Sequence, residues 1–209
     1  LRSTNELITQ LSAGVLRNLA SNLVNQVKIV QEDALGPLLA LMRSPKIAVV
    51  EQAIGCIRNL SVNADNEVKI VAGNGLPVLI TCLRMEERTI QEHAVVVIRN
   101  LSVNAENKVK IVQEGALKPL IALLRSKHEV TQEQAAVALR NLSINATNEH
   151  KMVQEGAIPA VIDLLRSRDV RLHEHAAVIL RNLAINADNE KAIADEGAPP
   201  AAGRNAHVD

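Results

Sequence analysis

Apolar positions recur along the chain at intervals of three and four residues, and the pattern then repeats itself. Ala135, Leu139 and Leu142 fall on one helical face, and Ala94, Ile98 and Leu101 reproduce that face one period earlier. RNLA starts at Arg17, RNLS at Arg58, Arg99 and Arg140, and RNLA again at Arg181, each step being 41 residues. Around these anchors SVNADNEVKIV (61–71), SVNAENKVKIV (102–112) and SINATNEHKMV (143–153) align without a gap. Each period divides into three predicted helices. The first covers Asn107 to Gln113, the second Leu117 to Arg125 with Pro119 in its first turn, and the third Val130 to Ile144. Between the first two lies Gly115, with Asp33, Asn74, Gly156 and Gly197 at the same place. These residue types tolerate a left-handed backbone, which predicts a helix C-terminal turn there.

A unit of this kind cannot bury its apolar face alone and must stack on its neighbours. The expected fold is therefore an all-α right-handed solenoid. The chain divides into a third helix at 1–22, four full units at 23–63, 64–104, 105–145 and 146–186, a further first helix at 187–197, and a disordered tail at 198–209. The apolar ends of such a stack predict end-to-end self-association.

Composition narrows the function. The chain has no Phe, Tyr or Trp, which removes aromatic cages and base-stacking platforms. Lys plus Arg and Asp plus Glu both number 23, so no global field draws the protein to nucleic acid or an anionic membrane. No apolar run approaches the ~18 residues of a membrane span. Cys56 and Cys82 sit in apolar segments and read as free buried thiols, which places the chain inside the cell, in cytoplasm or nucleus.

The 41-residue period, the Gly between the first two helices, and NLS followed by N-x-x-N together resemble armadillo repeats, over about residues 1 to 197. The form is most similar to the repeats of plant U-box ubiquitin ligases, the vacuole-anchored armadillo protein and the plakophilin–catenin branch. It departs from importin-α, which carries a Trp where this chain has Gly14, Gly55, Val96, Val137 and Val178. The resemblance implies a scaffold that binds an extended peptide segment of another protein in a concave groove.

On the third helix of one unit that groove stripe is Glu133, Gln134, Val137, Arg140, Asn141, Ile144 and Asn145. By the resemblance Asn18, Asn59, Asn100, Asn141 and Asn182 contact the peptide backbone, since an amide can pair with a peptide unit. The alternative is an inter-repeat hydrogen bond that tightens the stack. Arg17, Arg58, Arg99, Arg140 and Arg181 make a second ladder with no acidic residue four positions away. They favour an acidic ligand, unless each pairs with Glu51, Glu92, Glu133 or Glu174 of a neighbouring unit.

Nothing in the sequence supplies a cofactor, metal or catalytic pattern. His93 and His175 interchange with Gln52 and Gln134, as ordinary polar contacts do, and His173 points away from His175. Ser61, Ser102 and Ser143 read as small packing residues. The second reading of function is an architectural spacer in a larger protein, a ubiquitin ligase or an anchored scaffold, whose active part lies elsewhere.

Overall fold

A computed structural model describes residues 1 and 3–197, and among these the secondary structure is helical throughout. Helices of the third type come first and recur: α1 (Glu6–Leu19), α4 (Ile47–Leu60), α7 (Arg88–Leu101), α10 (Glu129–Leu142) and α13 (Val170–Leu183), each of 14 residues. First-type helices are α2 (Leu23–Gln31), α5 (Ala64–Ala72), α8 (Ala105–Gln113), α11 (Ala146–Gln154) and α14 (Ala187–Asp195), each of 9. Between them lie α3 (Leu35–Leu41), α6 (Leu76–Leu83), α9 (Leu117–Leu123) and α12 (Ala157–Leu164). The third helix thus stops at Leu142, short of the expected Ile144. Asn145 belongs to the next helix as its N-cap, its side chain accepting from the Asn148 backbone N–H. The expected tail at 198–209 lies outside the described residues.

The local signals have separate physical jobs. Asn22, Asn63, Asn104, Asn145 and Asn186 each cap a first-type helix in extended backbone, with the side-chain oxygen on a backbone N–H two or three residues ahead. The turn into the second helix is left-handed at Asp33, Asn74, Gly115, Gly156 and Gly197, with φ between 54° and 86°. A Cβ built on Gly156 meets nothing within 4 Å, so any cost there is conformational. Gly156→Ala is therefore expected to lower stability by about 1 kcal/mol and Asn74→Gly to raise it slightly, in thermal unfolding.

α1 packs on α4, α4 on α7, α7 on α10 and α10 on α13, making a continuous wall. Each wall helix has two flanks. The Ile54, Val95 and Ala136 position faces one neighbour and the Cys56, Val97, Ala138 and Ile179 position the other, all fully buried. At the start of the stack the second flank is uncovered: Val15 is 57% exposed where its equivalents are at 0%, with Ile8 and Leu19 likewise exposed. The core is one apolar spine without a centre, so stability is shared between neighbours.

Candidate functional site

The wall presents two parallel polar rows, and the structure assigns each a partner. In the Asn row, Asn59 Nδ2 donates to the Arg17 carbonyl at 2.9 Å. Asn100, Asn141 and Asn182 donate instead to Ser61, Ser102 and Ser143 Oγ at 2.9–3.0 Å. Each of these Ser hydroxyls donates in turn to a carbonyl of the preceding turn, that of Arg58, Arg99 or Arg140. The exception follows from sequence: Ala20 stands where the next three units carry Ser, so Asn59 reaches the carbonyl directly. The recurring Ser residues are thus fully buried relays and more than packing residues.

This arrangement commits the donor half of each amide to the preceding repeat. On Asn59, Asn100 and Asn141 the Oδ1 accepts no hydrogen bond among the described residues, and these side chains stay partly exposed. Asn182 is closed, being 7% exposed with its Oδ1 taking a bond from Arg181 at 3.4 Å. Asn18 is exposed, and its side chain makes no hydrogen bond among the described residues.

The Arg row does not pair with Glu51, Glu92, Glu133 or Glu174. The guanidiniums of Arg17, Arg58, Arg99 and Arg140 each reach one residue further, to the neutral group beside that Glu in the next repeat. Arg17 Nη1 donates to Gln52 at 3.4 Å and Arg99 Nη1 to Gln134 at 3.2 Å. Arg58 and Arg140 approach His93 and His175 Nδ1 at 3.5 and 3.4 Å, as a neutral imidazole accepting there allows. The interchange of Gln and His is thereby explained, because both present an acceptor at the same spot. The acids turn elsewhere, Glu92 to Arg88 at 2.6 Å and Glu133 to Arg171 at 3.0 Å. Among the described residues none of the five ladder arginines has a carboxylate within ion-pair distance. They are positioned without being neutralised.

Arg17 lies against Gly55 of the next wall helix. A Cβ at Gly55 would come within 2.7 Å of its Nε, whereas Val96, Val137 and Val178 occupy that position in later repeats. Further along, Arg58, Asn59, Arg99 and Asn100 open into a common cleft of about 420 Å³ that Glu67 also lines. Glu67 is 9% exposed, and burial raises its carboxyl above the ordinary range. His93, at 7% exposure, is pushed down to about 4 by burial first and by the Arg58 and Arg17 charges next, against a small opposing effect of Glu92. His175 moves the same way, for burial and Arg140. His173 faces elsewhere, its Nε2 on the Ser167 carbonyl, the job done by Gln91 and Gln132 in their own loops.

A second Asn row was not assigned from the sequence. Asn66 and Asn148, each 1% exposed, donate to the carbonyl of Leu60 or Leu142 and also to that of Gln26 or Lys108 in the preceding repeat. Asn25 and Asn189 make the first of these bonds. The second Asn of N-x-x-N was the available signal, although the equivalent Asn107, 2% exposed, has no partner for its Nδ2 among the described residues.

Comparison with known proteins places this architecture. The Armadillo/beta-catenin-like repeat pattern matches residues 24–62, 104–144 and 146–185, more than half of the chain. No curated protein matches. Among solved structures, a computationally designed armadillo repeat protein for modular peptide recognition is 25% identical with TM-score 0.90, over 96% of this chain and 86% of that one. A designed armadillo repeat protein in complex with the peptide (KR)4 is 25% identical with TM-score 0.86, over the same shares. An engineered protein from a structural genomics programme is 27% identical with TM-score 0.86, over 94% and 82%. The repeat period, the three-helix units and these matches agree: the chain belongs to the armadillo repeat family, as a right-handed α-solenoid of the protein-binding scaffold type.

Proposed function

We propose that this solenoid holds an extended segment of another protein along the wall of third-type helices, and that it favours acidic segments. One observation carries the reading: guanidiniums held in place by neutral acceptors run beside amides whose oxygens are left open. The open Oδ1 groups suit peptide N–H donors. The guanidiniums suit carboxylates, which they bind as planar forks. Wall helices about 8–10 Å apart match two to three residues of an extended chain at ~3.3 Å each. The designed neighbour in complex with (KR)4 supports a peptide as the class of partner. That peptide is cationic, and the uncompensated Arg row argues for the opposite sign here. In this reading the chain acts by binding and not by catalysis, in an intracellular setting that suits free Cys56 and Cys82 with thiols pushed up to about 12 and about 11. The exposed flank of α1 suits end-to-end association as well.

Selection from a random-peptide library tests the proposal, run on the chain and on Asn100→Ala plus Asn141→Ala. Extended, acid-rich peptides are expected, with enrichment lost in the double variant. Replacing their Asp and Glu by Asn and Gln is expected to weaken binding about tenfold. Equal binding would overturn the acidic preference. Absence of any enriched peptide would favour the spacer, in which the Asn–Ser relays serve stacking only.

A further inference from the structure

A row of apolar side chains runs beside the polar ones and stays exposed. Val62, Val103, Ile144 and Ile185 follow one another at the repeat period, each in the turn between a third-type helix and the next Asn cap. They are 61%, 64%, 64% and 78% exposed. Single exposed apolar residues are ordinary, but turns favour Gly, Asn, Asp and Ser, and β-branched residues gain nothing there. Ser21 at the same position of the first unit shows that the turn forms without one.

The apolar row and the polar rows share one space. Val62 and Val103 flank the cleft into which Arg58, Arg99, Asn59 and Asn100 open, so a chain lying in it touches both kinds of rung. Charge along the wall varies at one position, which is Gln26 in the α1–α4 interval, Glu67 in α4–α7, Lys108 in α7–α10 and Glu149 in α10–α13. Glu67 and Glu149 are buried to 9% and 7% exposure, whereas Lys108 adds an ammonium between Arg99 and Arg140, with Nζ on the Val103 carbonyl. The interval between α7 and α10 is thus the most cationic, and Val103 and Ile144 bracket it.

Resting on the peptide-binding reading, we infer that the partner segment is acidic at its centre and apolar on either side. Its carboxylate sits over Arg99, Lys108 and Arg140, and two branched or aliphatic side chains, one on each side of it and about three residues from each other, seat on Val103 and Ile144.

A selected peptide, its variant with the flanking apolar residues changed to Ser, and the chain with Val103→Ser plus Ile144→Ser form a double-mutant cycle read by fluorescence anisotropy. Either change alone is expected to weaken binding at least about tenfold, and the two together little further. Lys108→Glu is expected to cost a similar factor through the central carboxylate alone. Unchanged affinity of the Ser variant, or losses that simply add, would overturn the inference while leaving the peptide-binding reading intact. A selection that yields no peptide would overturn both. Sedimentation supplies the remaining arm: a concentration-dependent mass that disappears in the Ser variant would mean that a second copy covers this row, which also contradicts the inference.

Discussion

Asn66→Ala is expected to lower the unfolding free energy by about 2–3 kcal/mol, more than any substitution in the exposed Asn row. Its amide is 1% exposed and donates to two carbonyls, Leu60 at 3.3 Å and Gln26 at 3.2 Å, the second in the preceding repeat. Each net hydrogen bond contributes roughly 1 kcal/mol, and removal leaves a small cavity at a repeat junction. Both carbonyls belong to helix ends or interiors with other backbone donors, which keeps the loss below that of a true orphan. The internal control is Asn25→Ala. Asn25 is half-buried and bonds only Leu19, with no bond across a repeat junction, so it should cost about 1 kcal/mol or less. Chemical denaturation of both variants checks the pair. Equal losses would mean that the bond across the repeat junction contributes nothing.

The second large effect is in acid. His93 is neutral in the folded chain down to about pH 4, while in the unfolded chain it takes a proton near 6.5. The unfolded state therefore binds more protons between those values, and stability falls as pH is lowered through the window. Over its full width the loss approaches about 3 kcal/mol, from roughly 1.4 kcal/mol per pKa unit. Glu67 and Glu149 act with the opposite sign, since their raised carboxyls take up protons more readily folded than unfolded. His93→Gln, the residue of the equivalent rungs, retains an acceptor for Arg58 and should flatten the acid limb of a melting-temperature profile. An unchanged profile would show that His93 protonates without cost.

How much of this was legible in the sequence depended on what periodicity can report. Five copies of RNL at a fixed step located the wall helices and the left-handed turn at Gly115, because both are local and repeat without exception. The Arg partners were missed by one residue. Glu51 and Gln52 are adjacent on one helix, and only the rotation between successive wall helices decides that the guanidinium of Arg17 meets the amide and not the carboxylate. The Ser relays were missed for a related reason. A small residue after NL looks like packing until the next repeat places an Asn amide 2.9 Å from its hydroxyl. Contacts within a repeat are written in the period. Contacts between repeats depend on the superhelical rotation, which no single unit encodes.

Whether a peptide lies extended along the wall helices is decided by a crystal structure of the chain with a selected acidic peptide. The expected result is an extended segment crossing α4, α7 and α10, its main-chain N–H groups on Asn59, Asn100 and Asn141 Oδ1, and a carboxylate on Arg99 or Arg140. A peptide seated on another face, or one lying on the wall with these amide oxygens untouched, would contradict it.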